Sequence, residues 1–191
     1  MGKRMLDLSK RILLSCVSVG GKEYRIRTDF RLWLSFGRLM KAGAPLREFD
    51  LVYEWNGLEA AAPADRAEGL KALAEFYDPP CPLPRPSGRG GEPLVDFEQD
   101  ADLIYSAFWE RYGIRLTEAD LHWHEFLALF RGLKETKLND VMGWRSFEPD
   151  GSKGMEKWNS RMLELKRAWA LDTEWTEADK ANLASFNARF E

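Results

Sequence analysis

The chain has 191 residues, 45% hydrophobic and 13% aromatic, with a formal net charge of −3 at pH 7. That length suits one domain or little more, with enough apolar side chains for a sizeable core. Charged residues make up 31% and no apolar run reaches the roughly 18–20 residues that span a bilayer, so no membrane partner is expected.

The charge is unevenly spread. Residues 1–50 carry 11 Lys and Arg against 5 Asp and Glu, a net +6, while residues 92–125 carry 2 against 9, a net −7. Two solvated faces of opposite sign are the plain expectation. A nucleic-acid partner would call for a denser cluster of Lys and Arg, so none is expected. Two cysteines, Cys16 and Cys81, exclude a disulfide framework and a four-cysteine zinc site, and read as reduced thiols. The stretch "MGKRMLDLSKRILLSCVSV" places basic residues before a short apolar run broken by serine, without a small-residue cleavage site. It reads as mature sequence rather than an export signal.

In chain order, 13–19 and 22–27 read as a β-hairpin joined by Gly20-Gly21, a pair that suits the positive φ angles of a tight turn. Tyr24 and Ile26 alternate with Arg25 and Arg27, so one face should be buried and one wet. Asp29 has the chemistry of an N-cap. Phe30, Trp33, Leu34, Gly37 and Met40 follow at helical spacing, until "KAG" and Pro45 end the helix. Residues 46–62 fit either a short helix or an extended piece. A second helix is expected over 64–77, with Leu70, Leu73, Ala74 and Tyr77 on one stripe. Residues 79–93, "PPCPLPRPSGRGGEP", hold six of the nine prolines and read as a linker or long loop.

Beyond it the chain reads as helical. Asp96 is the expected cap of a helix bearing Phe97, Ala101, Ile104, Tyr105, Phe108 and Tyr112 on one face, stopped by Gly113. "TKLNDVMGWRSF" should form a short helix and turn, and "PDGSKG" a loop. Met155, Trp158, Met162, Leu165 and Trp169 then step by 3, 4, 3, 4, a seam for packing against another helix. The last helix, from Thr176, would align Leu183, Phe186 and Phe190. The tetrapeptide "TEAD" recurs at 117–120 and 176–179, each time where capping chemistry marks a helix start. The expected fold is mainly α, a helical domain with one N-terminal β-hairpin. It divides into 1–78 (hairpin and helices), the linker 79–93, and the helical part 94–191, packed together as one domain.

The chain's two histidines, His122 and His124, lie in "TEADLHWHEFLALFRGL". With Thr117 as cap and ~100° per residue, a helix would point them to opposite sides of its axis, unable to share a metal ion. "HEFLA" fails H-E-x-x-H because the second histidine position holds Ala128. Trp123, Phe126, Leu127 and Phe130 make the apolar face. His122 is expected at its edge, beside Phe126 and Leu129, and His124 at the surface in a polar stripe with Asp120 and Arg131. No nucleophile elbow and no phosphate loop is present. The acidic group Asp96, Glu98, Asp100 and Asp102 fits a solvated, dipole-favoured helix start better than a metal site. No catalytic, cofactor-binding or metal-binding residue is therefore assigned, and no enzyme is expected.

Two blocks carry a more specific signal: "MLDLSKRI…GKEYRIRTDFRLWLSF" (5–36) and "DFEQDADLIYSAFWERYGIRLTEADLHWHEFLALFRGLKETKLNDVMGWRS" (96–146). Together they resemble a family of tailed-phage proteins known by the gene-product number "gp fifteen", whose variable Pro/Gly/Ser-rich middle corresponds to 79–93. The helix from Thr176 to Glu191 stands outside the family pattern. The resemblance implies a gene between those of the tail tube and the tape measure, the place of tail assembly chaperones. It thus implies the tape-measure protein, the tail-tube protein and a companion tail chaperone as partners. The site would be the host cytoplasm, with the chain absent from the mature virion. It supplies no catalytic residues. Self-association is left open. Reversible binding of amphipathic helices calls for surface aromatics. Trp109, Trp144, Phe186 and Phe190 are the partner-binding candidates, whereas Trp33, Trp123 and Trp158 are assigned to the core. A retained virion component is the alternative, and a metal-dependent enzyme using the acidic group with His122 or His124 a remoter one.

Overall fold

The computed structural model describes residues 13–57, 59–78 and 93–172. The fold is mainly α: the described residues form six α-helices and one 3₁₀ helix, with an antiparallel hairpin near the N-terminus and a second ladder of two residues per strand. The linker 79–93 lies outside the described residues except for Pro93, and so do Cys81, the second "TEAD" and the expected last helix. The chain divides into two compact units. Among the described residues one comprises 13–57, 59–78 and 120–127, the other 93–119 and 128–172.

The first unit opens with β1 (Cys16–Val19) and β2 (Lys22–Arg25), paired antiparallel with Val19 opposite Lys22. Gly20 (φ 57°) and Gly21 (φ 77°) both sit in the left-handed region, as a hairpin turn whose twist matches its strands requires. Val17, Val19 and Ile26 are buried while Arg25 and Arg27 are exposed, the expected two-faced pattern. Asp29 caps α1 (Phe30–Lys41), its carboxylate accepting from the Arg31 N–H at 2.8 Å. Phe30, Trp33, Phe36 and Gly37 form the buried face; Leu34 and Met40 flank it, half-buried. Gly43 (φ 61°) ends the helix.

Residues 46–60 combine both expected forms. A 3₁₀ helix (Leu46–Val52) buries Phe49 and Val52, then β3 (Trp55–Asn56) pairs with β4 (Glu59–Ala60). Asp65 caps α2 (Arg66–Tyr77). The Arg66 guanidinium pairs with Asp50 at 2.9 Å, tying the helix start to the 3₁₀ helix. Gly69, Leu70, Leu73 and Phe76 are buried. A Cβ at Gly69 would stand 2.6 Å from Pro63 Cγ and 2.9 Å from Tyr53 Oη, so close packing there requires glycine. The core is aromatic: Trp33 lies 4.5 Å from Phe76 and 5.2 Å from Phe36, and Phe30 stacks on Phe126 at 4.8 Å.

The second unit holds α3 (Ala101–Tyr112), α5 (Lys137–Arg145) and α6 (Glu156–Ala168); α5 packs against both of the others. Gly113 (φ 65°) stops α3 as expected. The start differs. Asp96 caps a preceding turn, accepting from the Glu98 and Gln99 amides, and α3 begins only at Ala101, which is exposed. Ile104, Ala107 and Phe108 form its buried face. Thr136 and Asn139 make a capping box at the start of α5. The loop 147–155 leads into α6, which has no buried residue.

Helix α4 (Trp123–Gly132) contributes 123–127 to the first unit and 128–132 to the second. Its start corrects the reading of "TEAD" as the cap. Residues 116–118 are a turn, and residues 119–122 are not helical. Instead Leu121 O accepts from the Phe30 amide at 3.1 Å and Trp123 N donates to Thr28 O at 2.7 Å, a bridge that pairs His122 with Asp29. These backbone bonds to a distant segment outcompete the local cap.

Candidate functional site

The "LHWH" segment is where a chemical site was most to be tested. His122 precedes α4 and takes the N-cap position: its carbonyl accepts from the Phe126 amide at 2.9 Å, and its Nδ1 from the His124 amide at 3.0 Å. Glu125, three residues on, returns a carboxylate oxygen to the His122 N–H at 3.2 Å. The Glu125 half matches a capping box, while the imidazole accepts from the second helical amide rather than the third. The other ring nitrogen, Nε2, lies 2.9 Å from Leu14 O. A carbonyl only accepts, so Nε2 carries the proton and Nδ1 is bare, which is what the cap requires.

His124 is 2% exposed, not the surface residue expected. Its Nε2 lies 2.9 Å from Phe76 O and so also donates. Trp123 Nε1 donates to the neighbouring Tyr77 O at 2.8 Å. Phe76 and Tyr77 are the last two residues of α2, where helix carbonyls have no partner within their own helix. Two consecutive side chains thus close one helix end while His122 opens another. The rings do not diverge either. His124 stacks on Phe76 at 4.2 Å, His122 meets the same ring edge-on at 5.8 Å, and the two imidazoles are 5.1 Å apart. They converge because His122 lies outside the helix, so 100° per residue does not apply between them.

Each Nε2 is committed to a backbone carbonyl, so a metal ion or substrate would have to break a structural bond to reach it. Burial pushes the His122 pKa below its ordinary value, outweighing the Leu14 carbonyl and the Glu125 carboxylate, which act upward. With the folded value depressed, the unfolded chain binds more protons as pH falls through the ordinary histidine range. The stability from neutral His122 is whole above that range and declines as pH falls through it. Thermal melts at about pH 7.5 and about pH 5.5 should therefore show a larger acid loss for the native chain than for His122→Asn, whose amide oxygen keeps the cap without titrating. Equal losses would contradict this role.

The acidic group is also not a shared site. Asp100 is 2% exposed rather than solvated, and it meets Arg145 through two bonds of 2.7 and 2.8 Å. Arg145 also donates to Leu94 O at 2.9 Å and Trp169 O at 2.7 Å. Among the described residues no group of three or more His, Cys, Asp or Glu is placed to hold a metal ion, and no helix is long and apolar enough to cross a membrane. The depression lined by Phe49, Asp50, Tyr53, Pro63 and Arg66 has no room for a water-sized guest. Tyr53, 2% exposed there, has its phenol pKa raised by burial and then by Asp50, and stays neutral.

The partner-binding candidates fall in three places. Trp109 is 48% exposed on α3, with the Arg115 guanidinium 5.0 Å from its ring. Trp144 is half-buried, 5.8 Å from Trp169, with Lys137 Nζ over both rings at 4.1 and 5.2 Å. Phe186 and Phe190 lie outside the described residues. Trp33 and Trp123 are core residues as expected, but Trp158 is 53% exposed. No residue of α6 is buried, so the expected seam is only partly covered, at Met162 and Leu165.

No curated protein and no solved structure matches the chain. The family model described as "Bacteriophage Gp15 protein" matches residues 80–171, a span that takes in every described residue of the second unit but Asp172, together with the "LHWH" segment. The block at 5–36 lies outside that match. Over that span the chain is similar to this family of phage proteins.

Proposed function

We propose that this chain is a non-enzymatic assembly chaperone or adaptor, which binds the tape-measure protein and tail-tube subunits while a long flexible phage tail is built. The family match over residues 80–171 carries this reading. The site chemistry is consistent with it. The histidines and the buried Asp100–Arg145 pair hold the fold together, while three tryptophans, Trp55, Trp109 and Trp158, are left about half exposed. Exposed aromatics, two of them on helices, are what transient capture of amphipathic helices needs. The chaperone acts in the bacterial cytoplasm, with a companion tail chaperone as a further partner, and leaves before the virion is complete.

Co-expression of the full chain with the tape-measure and tail-tube proteins of the same phage, followed by affinity capture, tests this. Retention of either partner is the expected result, and retention of neither contradicts the proposal. Mass spectrometry of purified particles should find the chain scarce or absent. Stoichiometric amounts would make it a virion component instead.

A further inference from the structure

The uncovered edge of α6 has a definite chemistry. Trp158 and Leu165 are seven residues apart, two turns along one line of the helix, with Met162 and Trp169 interleaved beside them. Met162, Leu165 and Trp169 are half-buried and Trp158 is 53% exposed. The strip is thus a shallow apolar row with one aromatic standing proud. Its margins are basic. Arg161 lies between Trp158 and Leu165 on the outward side, one turn beyond Lys157, and both are exposed. On the α5 side Lys137 holds its ammonium over Trp144 and Trp169. Of the two acidic residues of α6, Glu156 lies on the far side of the helix, and Glu164 lies one turn beyond Arg161, so this margin is basic at Lys157 and Arg161 and turns acidic toward its C-terminal end. Among the described residues, Lys157 and Arg161 form no ion pair.

We infer that this strip docks an amphipathic helix with acidic flanks, laid along α6 so that apolar residues at i, i+3, i+4 and i+7 meet Trp158, Met162 and Leu165 while Glu or Asp side chains face Lys157, Arg161 and Lys137. Charge complementarity selects the sign, and the 3, 4, 3, 4 spacing selects a helix over an extended peptide. A second copy of α6 would set basic margin against basic margin. About three turns of helix also fall well short of the roughly 1,200 Å² that a stable interface buries, which suits reversible capture. A nucleic acid is disfavoured by the small number of cations. The inference deepens the assembly reading by naming a face and a partner chemistry, and rests on that reading only for its biological meaning.

The test uses the full chain and a labelled helical peptide of three heptads with Leu at a and d and Glu at e and g, read by fluorescence anisotropy. The Glu peptide should bind, with affinity falling as salt is raised, and its Lys counterpart should bind at least about tenfold more weakly. Trp158→Ala and the charge-reversing pair Lys157→Glu with Arg161→Glu should each weaken the Glu peptide by about tenfold or more; both change exposed residues, and unchanged helical circular dichroism confirms folding. Four results would overturn the inference. They are no binding of the Glu peptide, equal binding of both peptides, binding unaffected by Trp158→Ala, or tighter binding of a single-stranded oligonucleotide. A dimer in light scattering that Trp158→Ala dissolves would assign the strip to self-association and overturn it as well. If the peptide fails while the tape-measure or tail-tube protein is still captured, this face is wrong and the assembly reading stands.

Discussion

Asp100→Ala should be among the most destabilising substitutions in the second unit, at about 3–5 kcal/mol, the usual result of stripping a buried ion of its partner. The side chains of Arg145 and Asp100 are 8% and 3% exposed. The guanidinium makes four bonds, two to Asp100 and one each to the carbonyls of Leu94 and Trp169. Without the carboxylate those carbonyls remain, but the charge is buried without an opposite. Asp100 Oδ2 also accepts from the Asp96 amide at 2.9 Å, so the turn before α3 loses an anchor. Urea unfolding followed by circular dichroism reads the effect. Replacing both partners, Asp100→Leu with Arg145→Met, should recover much of the loss, because the penalty comes from the unmatched charge rather than the missing attraction. A loss under about 1 kcal/mol for Asp100→Ala would mean that water reaches the pair.

Trp123→Ala should cost the first unit a comparable amount, about 3–5 kcal/mol, as large aromatic deletions from packed cores do. The indole is 1% exposed, stacks on Tyr77 at 5.1 Å and on Phe126 at 5.7 Å, and donates to Tyr77 O. Alanine removes volume, stacking and hydrogen bond together. Trp123→Phe separates them: most of the volume stays, the Tyr77 carbonyl loses its donor, and about 1–3 kcal/mol should be lost. If Phe proves as damaging as Ala, the hydrogen bond at the end of α2 dominates. If Phe is neutral, the indole N–H is dispensable.

The features legible in the sequence are those decided within a few residues. Gly20-Gly21, Asp29 and Gly113 each act on their own turn or helix end. The errors share a physical origin in contacts between distant segments. "TEAD" at 117 has good capping chemistry, yet pairing of 121–123 with residues 28–30 delays the helix to Trp123. One local signal did point to the true start, Glu125 three residues after His122, but histidine is seldom read as a cap acceptor. Asp100 and Arg145 are 45 residues apart, and no periodicity or motif links them. At Trp158 the spacing identified the apolar line, but spacing alone does not say whether another element covers it. Of the candidate site, the expected geometry of the histidines was wrong, because the rings converge on Phe76 rather than diverge.

The reading of "LHWH" as a structural clasp is tested most directly by nitrogen-15 NMR of the two imidazoles near neutral pH. Both rings should be neutral Nε2–H tautomers, with Nε2 protons that exchange slowly because each donates to a backbone carbonyl, of Leu14 for His122 and of Phe76 for His124. Rapidly exchanging Nε2 protons, or the Nδ1–H tautomer at His122, would mean that the rings do not hold these helix ends and would reopen the pair as a chemical site.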